Sequence, residues 1–156
     1  MPALIRRRSG FTLIELLVVI GIIAVLAAGV FVALDPVKRF ADSRNSRRWN
    51  DVNSILTAIH QYIVDNNGSL PTGLTANNTE VQLGTCPSGG ATACASASAA
   101  CVNLATPLAK YLKSLPLDPD GGSAATTKYS VTVDTNNLVT VKACAAESGA
   151  SITVTR

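Results

Sequence analysis

A long apolar run near the N-terminus constrains this chain more than any other feature of its sequence. The 24 residues from Phe11 to Leu34 contain one charged side chain, Glu15. As a helix, such a run is long enough to cross a hydrocarbon core of about 30 Å. Three arginines precede it, and positive charge favours the cytoplasmic side of a membrane. The sequence therefore predicts one membrane-spanning helix, with the C-terminal part exported.

The part of the chain after the apolar run has an ordinary polar composition. The chain has 156 residues, enough for one domain with a modest core. Its formal net charge of +3 is due to Arg6, Arg7 and Arg8, because the residues after Gly10 contain as many cations as anions. A general attraction to nucleic acid is therefore not expected, and we predict no specific nucleic-acid partner.

Glu15 is an unusual residue for a membrane-spanning helix. An unpaired carboxylate at the bilayer centre costs on the order of 2.5 kcal/mol or more. Either Glu15 lies close enough to the interface to stay hydrated, or it pairs with a cation.

The residues around Glu15 form a recognisable pattern. A short basic leader is followed by Ser9-Gly10-Phe11-Thr12-Leu13-Ile14-Glu15. This segment resembles the prepilin processing signature of type IV pilins and secretion-system pseudopilins. The resemblance implies that a prepilin peptidase cleaves after Gly10 and methylates the new amino terminus at Phe11. It also implies a partner for Glu15, namely the Phe11 amine of an adjacent subunit.

The same resemblance implies a function and a set of partners. The expected product is the major pilin of an extracellular type IV pilus used for motility or adhesion, built from identical subunits in a helical filament. A platform membrane protein and a cytoplasmic assembly ATPase are implied beside the peptidase, and the subunit would wait as a single-pass protein of the cytoplasmic membrane. The alternative is a minor pilin or pseudopilin of a type II secretion or DNA-uptake machine.

Other interpretations of the N-terminus and of the head account for fewer of these sequence features. An ordinary secretory signal has an apolar run of about 7–15 residues without an acid, and a plain signal anchor leaves Gly10, Phe11 and Glu15 unexplained. His60 is the one histidine, and the sequence has neither a Gly-rich phosphate loop nor a nucleophile elbow. We therefore predict no enzymatic activity, no cofactor and no metal.

Pro36 separates two helical segments. Proline removes a backbone donor and clashes with the preceding turn, so the helix is predicted to break near residues 32–36. The chain is accordingly divided into a leader, 1–10, a transmembrane helix, 11–35, and an amphipathic helix, 36–68. In the amphipathic helix, apolar residues recur every three or four positions at Trp49, Val52, Leu56, Ile59 and Ile63.

A run of basic residues lies in the first half of the amphipathic helix, at Lys38, Arg39, Arg44, Arg47 and Arg48. Aspartates interrupt the run, which favours a solvated face with local ion pairs. Contact with lipid headgroups before assembly, followed by ion pairs between subunits, is the alternative.

The remaining residues, 69–156, are predicted to form a globular head. A loop rich in small and polar residues covers 69–103, and a short helix is expected at 104–114. Apolar residues alternate over 128–155, which predicts three antiparallel strands in a meander. The fold class is therefore α+β, with a long N-terminal helix, half transmembrane and half amphipathic, packed on a small three-stranded antiparallel sheet, as in type IV pilins.

Four cysteines lie in the predicted head, at Cys86, Cys94, Cys101 and Cys144. Export favours disulfides over zinc, and four cysteines allow three pairings. Of these we favour Cys86 with Cys94 and Cys101 with Cys144. The loop also contains Asn77-Asn78-Thr79, which matches the pattern for N-linked glycosylation.

The segment from Leu115 to Pro119 resembles the turn that precedes the sheet in type II secretion pseudopilins. In the major pseudopilin this neighbourhood binds calcium, which makes Asp118 and Asp120 candidate ligands here. The aromatic-Gly continuation of that family is missing. An Asx-type turn without an ion is therefore the favoured interpretation.

Overall fold

The chain forms two compact units, which meet between Arg39 and Phe40. The structure, a computed structural model, describes residues 10–87, 94 and 97–156. The predicted leader therefore lies outside the described residues, apart from Gly10.

The first unit contains a helix that buries none of its side chains. Helix α1 spans Leu13–Leu34, and Thr12 caps its N-terminus. It ends at Asp35, which has a left-handed backbone with φ of 38°. Because a residue before proline is driven out of the α conformation, Pro36 explains why α1 stops here. The break predicted for residues 32–36 is confirmed.

Helix α2 spans Pro36–Asp65 and begins where α1 ends. Proline suits the first helical position because its missing N–H has no acceptor there. The Asp35 side chain accepts a hydrogen bond from Lys38 N at 3.3 Å, so Asp35 terminates one helix and caps the next. At the far end, Gly68 has φ of 85° and its N–H donates to Ile63 O, closing the helix.

In the second unit, α2 packs one face against the sheet. Its buried side chains recur at helical spacing and include Val52, Ile55, Leu56 and Ile59. They share one core with apolar residues of the strands, such as Tyr129, Val131 and Val141. Trp49, which was predicted to lie in this stripe, is 43% exposed at its edge.

The sheet has five strands and is mixed. The strands are β1 (Val81–Leu83), β2 (Ser98–Val102), β3 (Tyr129–Val133), β4 (Val139–Ala143) and β5 (Thr153–Thr155). Their order across the sheet is β2-β1-β3-β4-β5, with β1 and β2 parallel and every other pair antiparallel.

The prediction of three antiparallel strands is therefore correct for β3, β4 and β5 and wrong for the sheet as a whole. The two further strands come from the segment predicted as a loop, 69–103. Strand β1 has only three residues, too few to show an alternating pattern, and β2 is rich in small residues. Pairing to strands distant in sequence, rather than local preference, orders both.

The short helix predicted for 104–114 is also replaced by other structure. Residues 105–111 form consecutive turns, although Leu104 and Leu108 are buried as that prediction required. Two hydrogen bonds of helical span remain, from Leu108 N to Leu104 O and from Leu112 N to Leu108 O. Between them, Ala109 N donates to Thr106 O and Tyr111 N donates to Leu108 O, each three residues back, so the ladder of four-residue bonds is interrupted.

A buried arginine joins α2 to two distant segments of the head. The Arg48 side chain has no exposed surface. Its Nε and Nη2 donate to the two carboxylate oxygens of Asp118 at 2.7 and 2.9 Å. Its Nη1 donates to Glu147 at 2.7 Å and to Asn45 at 2.9 Å. Such two-pronged contacts between arginine and carboxylate fix orientation as well as adding energy.

The electrostatics of this cluster follow from its contacts. Hydrogen bonding to Asp118 raises the pKa of Arg48 above its ordinary value. Glu147 accepts from both Arg44 and Arg48, and these bonds lower its pKa to about 2. Glu147 therefore remains a carboxylate in mildly acidic surroundings. Its backbone N and O also bond to the Asn45 side chain, at 3.1 and 3.0 Å.

All four cysteines are paired, but not as we favoured from the sequence. Cys86 bonds to Cys101, and Cys94 bonds to Cys144. The first pair follows from the parallel alignment of β1 and β2, in which Gln82 lies beside Cys101 and Cys86 comes shortly after β1. Because β2 was not anticipated, the favoured pairing was wrong.

We predict that Arg48→Met destabilises the head by about 3–5 kcal/mol, because it leaves the Asp118 carboxylate buried without its cation. Urea unfolding of the purified chain, followed by the fluorescence of Trp49, measures the change. Arg47→Met is the matched control, since Arg47 is exposed and its change should stay within about 0.5 kcal/mol. Equal effects of the two substitutions would contradict a central role for Arg48.

The two disulfides should differ in their contribution to stability. Cys94–Cys144 closes a loop with a sequence separation of 50, whereas Cys86–Cys101 has a separation of 15. On chain entropy alone, replacing the first pair by serine should cost about 1 kcal/mol more than replacing the second. Peptide mapping without reduction checks the pairing, and urea unfolding of both double variants measures the difference.

Candidate functional site

The junction between Gly10 and Phe11 is an exposed, non-helical segment. Helix α1 begins only at Leu13, and Phe11 is 81% exposed. A Cβ added at Gly10 would have no heavy atom within 4 Å. The fold itself therefore does not require glycine at position 10, and a peptidase can reach the bond that follows it.

Thr12 and Glu15 cap the start of α1 reciprocally. The Thr12 backbone N–H donates to Glu15 Oε2 at 2.8 Å, and the Thr12 hydroxyl donates to the same oxygen at 2.6 Å. In return, Glu15 N donates to Thr12 Oγ1 at 3.3 Å. The carboxylate is thus held at the N-terminal end of the helix, beside the amide that follows Phe11, where the helix dipole also favours a negative charge.

Gly10, Phe11 and Glu15 lie within six residues at the start of α1, and the structure adds Thr12 as the hydrogen-bond partner of Glu15. Thr12 had no predicted role. The signal was nevertheless present, since threonine followed three residues later by glutamate at the start of an apolar run is the pattern of a capping box.

Helix α1 has the length and composition of a membrane span. Among the described residues, one helical stretch is long and apolar enough to cross a bilayer, and its apolar part is entirely exposed. The match rests on length and composition. A carboxylate that has hydrogen-bond donors at one end of such a helix agrees with both interpretations of Glu15, hydration near the interface and pairing with a cation.

Comparison with known proteins identifies the N-terminal segment. Residues 5–31 match the family model of the prokaryotic N-terminal methylation motif. This motif is the leader signature of type IV pilins and pseudopilins, which confirms the resemblance inferred from Ser9 to Glu15. It implies processing by a prepilin peptidase and, with α1, anchoring in a membrane before assembly. No curated protein and no solved structure matches the chain.

The two candidate calcium ligands have other roles. Both carboxylate oxygens of Asp118 accept from Arg48, and Asp118 Oδ1 also accepts from Asp120 N at 2.8 Å. The second bond defines the Asx-type turn that we favoured. Lys128 donates to the Asp120 carbonyl, which places a cation beside the turn. This arrangement opposes binding of a cation at Asp118.

The predicted basic run is divided between two environments. Arg48 is fully buried, and Arg44 lies half-buried against Glu147, so neither belongs to a solvated face. Lys38, Arg39 and Arg47 remain exposed. Interpreting the whole run as a solvated face was therefore wrong for its two residues that have carboxylate partners far away in sequence.

The remaining polar clusters suggest structural roles. His60 Nε2 lies 3.1 Å from the carbonyl oxygen of Arg156, so it links α2 to the segment after β5. Glu80 lies close to the sulfurs of Cys94 and Cys144. Those sulfurs are joined to each other, so they are not available as thiolate ligands.

We predict that Gly10→Val blocks removal of the leader while leaving the fold unchanged. The valine side chain meets open space in the chain itself, so its effect must arise where a peptidase binds. Mass spectrometry of the chain from its native cell should find residues 1–10 retained. Gly21→Ala is the control, because that position is equally open and lies away from the junction. Normal cleavage of Gly10→Val would contradict this assignment.

Proposed function

We propose that this chain is a structural subunit, the major pilin, of an extracellular type IV pilus. The observation that carries the proposal is helix α1, which has the methylation motif at its start and none of its side chains buried. The head, in contrast, has its own core of fully buried residues on α2 and the strands. The apolar helix is therefore free to bury itself against something other than its own chain.

The physical argument concerns what covers α1. In a membrane, lipid surrounds its apolar side chains, but outside the membrane water would replace the lipid. Exposing one Val, Leu or Ile side chain costs about 1.5–3 kcal/mol, and α1 consists largely of such residues. Copies of the same helix, packed in a filament, provide the apolar surroundings that extraction from the bilayer removes.

Glu15 would determine how neighbouring helices are aligned in this packing. Cleavage after Gly10 turns the Phe11 nitrogen into a cation within an apolar segment. In the single chain the Glu15 carboxylate is satisfied by Thr12, a neutral partner. An amine of a neighbouring subunit is a stronger partner, because opposite charges attract strongly where the surroundings have a low dielectric constant. The pair would therefore favour one stagger between neighbouring helices.

A minor pilin or pseudopilin remains the second candidate, because the methylation motif occurs in both groups. The abundance of the protein in filaments distinguishes a major pilin from a minor component. A major pilin should be the dominant protein in filaments sheared from the cell surface, whereas a minor component should be a small fraction of them.

We predict that Glu15→Gln lowers the yield of sheared filaments at least about tenfold. Glutamine keeps the size and one acceptor oxygen of Glu15 but cannot neutralise an amine, and losing only 1.4 kcal/mol corresponds to a factor of ten. Quantitative mass spectrometry of the sheared fraction measures the yield and reports whether Phe11 is the methylated N-terminus. Ile14→Val is the control in the same helical turn and should assemble normally. Correctly processed Glu15→Gln chains in normal amounts of filament would refute the role of the charge.

A further inference from the structure

A short exposed segment of the head combines a sequence pattern with a specific backbone geometry. Asn77-Asn78-Thr79 has the residues of an acceptor for N-linked glycans. Such acceptors lie in surface loops of exported proteins. All three residues are exposed. The segment is held on both sides, by the buried Leu74 before it and by strand β1 after it.

The backbone presents the acceptor residues in a defined turn. Thr79 N donates to Asn77 Oδ1 at 3.0 Å, which closes an Asx turn across the pattern. Asn78 has φ of 60°, and its N–H donates to Val133 O at 3.0 Å, which attaches the turn to the end of β3. The two groups that a transferase must hold, Asn77 Nδ2 and the Thr79 hydroxyl, have no hydrogen-bond partner among the described residues.

A second match to the same pattern lacks this geometry. Asn67-Gly68-Ser69 follows α2 and is equally exposed. There, Ser69 N donates to Asn66 O at 3.1 Å, so it is already used and cannot donate to the Asn67 side chain. Asn67 itself has a left-handed backbone with φ of 53° as part of the helix end. The chain thus contains one acceptor pattern with an Asx turn and one without.

We propose that Asn77 is a site of N-linked glycosylation, and that Asn67 is not. The proposal rests on export of the head, which is part of the proposed function. The donor would be an oligosaccharide linked to a polyprenyl pyrophosphate. Asn77 Nδ2 would form a bond to C1 of the first sugar as the C1–O bond to pyrophosphate breaks. The pyrophosphate leaves with the electron pair, and the nitrogen loses a proton to a base of the transferase.

The bond from Thr79 N to Oδ1 is suited to this reaction. It draws electron density towards Oδ1, which makes an Nδ2 proton easier for the transferase to remove, and Nδ2 itself has no acceptor among the described residues. The Thr79 hydroxyl stays available to the transferase, which explains why the third residue of the pattern must carry one. A glycan at this position projects from an exposed turn and disturbs no buried contact.

The test is peptide mass spectrometry of the full chain taken from surface filaments of its native cell. We expect the peptide that contains Asn77 to carry added sugar mass and the peptide that contains Asn67 to carry none. Thr79→Val, which keeps the shape but removes the hydroxyl, should abolish the modification. Thr79→Ser keeps the hydroxyl and should retain it.

The same digest separates this inference from the proposed function. A methylated Phe11 terminus together with unmodified Asn77 would overturn glycosylation and leave the filament role intact. Sugar on both Asn77 and Asn67 would overturn the argument from the Asx turn. Persistence of the modification in Thr79→Val would show that the pattern is not what the transferase reads, and would also overturn the proposal.

Discussion

The structure depends on one constraint, an apolar helix whose side chains are all exposed among the described residues. Helix α1 buries none of its residues, whereas α2 and the strands share a core of buried apolar side chains. One polypeptide therefore needs two kinds of surroundings, apolar ones for α1 and water for the head. The capping of α1 by Thr12 and Glu15 fits this need, because it gives the backbone N–H groups of Thr12 and Glu15 acceptors within the same helical turn.

Within the head, the buried guanidinium of Arg48 holds segments together by hydrogen bonds, in addition to the apolar core. Arg48 contacts Asp118 and Glu147, which lie 70 and 99 residues further along the chain. A guanidinium removed from water needs acceptors for its donors, and Asp118, Glu147 and Asn45 together accept four hydrogen bonds, which engage all three of its nitrogens. The burial of Tyr129, whose hydroxyl donates to Asp51 at 2.7 Å, follows the same rule. The apolar stripe of α2 alone leaves the register between the helix and the strands less defined. The polar groups of α2 therefore fix this register.

The elements with strong local patterns were predictable, and those that depend on distant partners were not. Both helices, the break at Pro36 and strands β3 to β5 follow from apolar periodicity and from proline chemistry. Strands β1 and β2 were missed because three residues and a run of small residues show no period of two. The cysteine pairing then failed as a consequence, since it depends on the β1–β2 alignment. Arg48 was misassigned because its neighbours are basic and its carboxylate partners lie far away in sequence. At the N-terminus, the motif indicated Gly10, Phe11 and Glu15 directly, while Thr12 needed only the capping pattern.

The covalent link between Cys94 and Cys144 has a mechanical consequence. It joins residues separated by 50 positions, and β2, β3 and β4 lie between them. A fully extended segment of that size spans about 170 Å. While the bridge is intact, a pulling force applied to the ends of the head cannot draw this length out of the fold. The contour length that the head can yield under tension is shortened by the same amount, and the paired strands β3 and β4 are shielded from being pulled apart end to end.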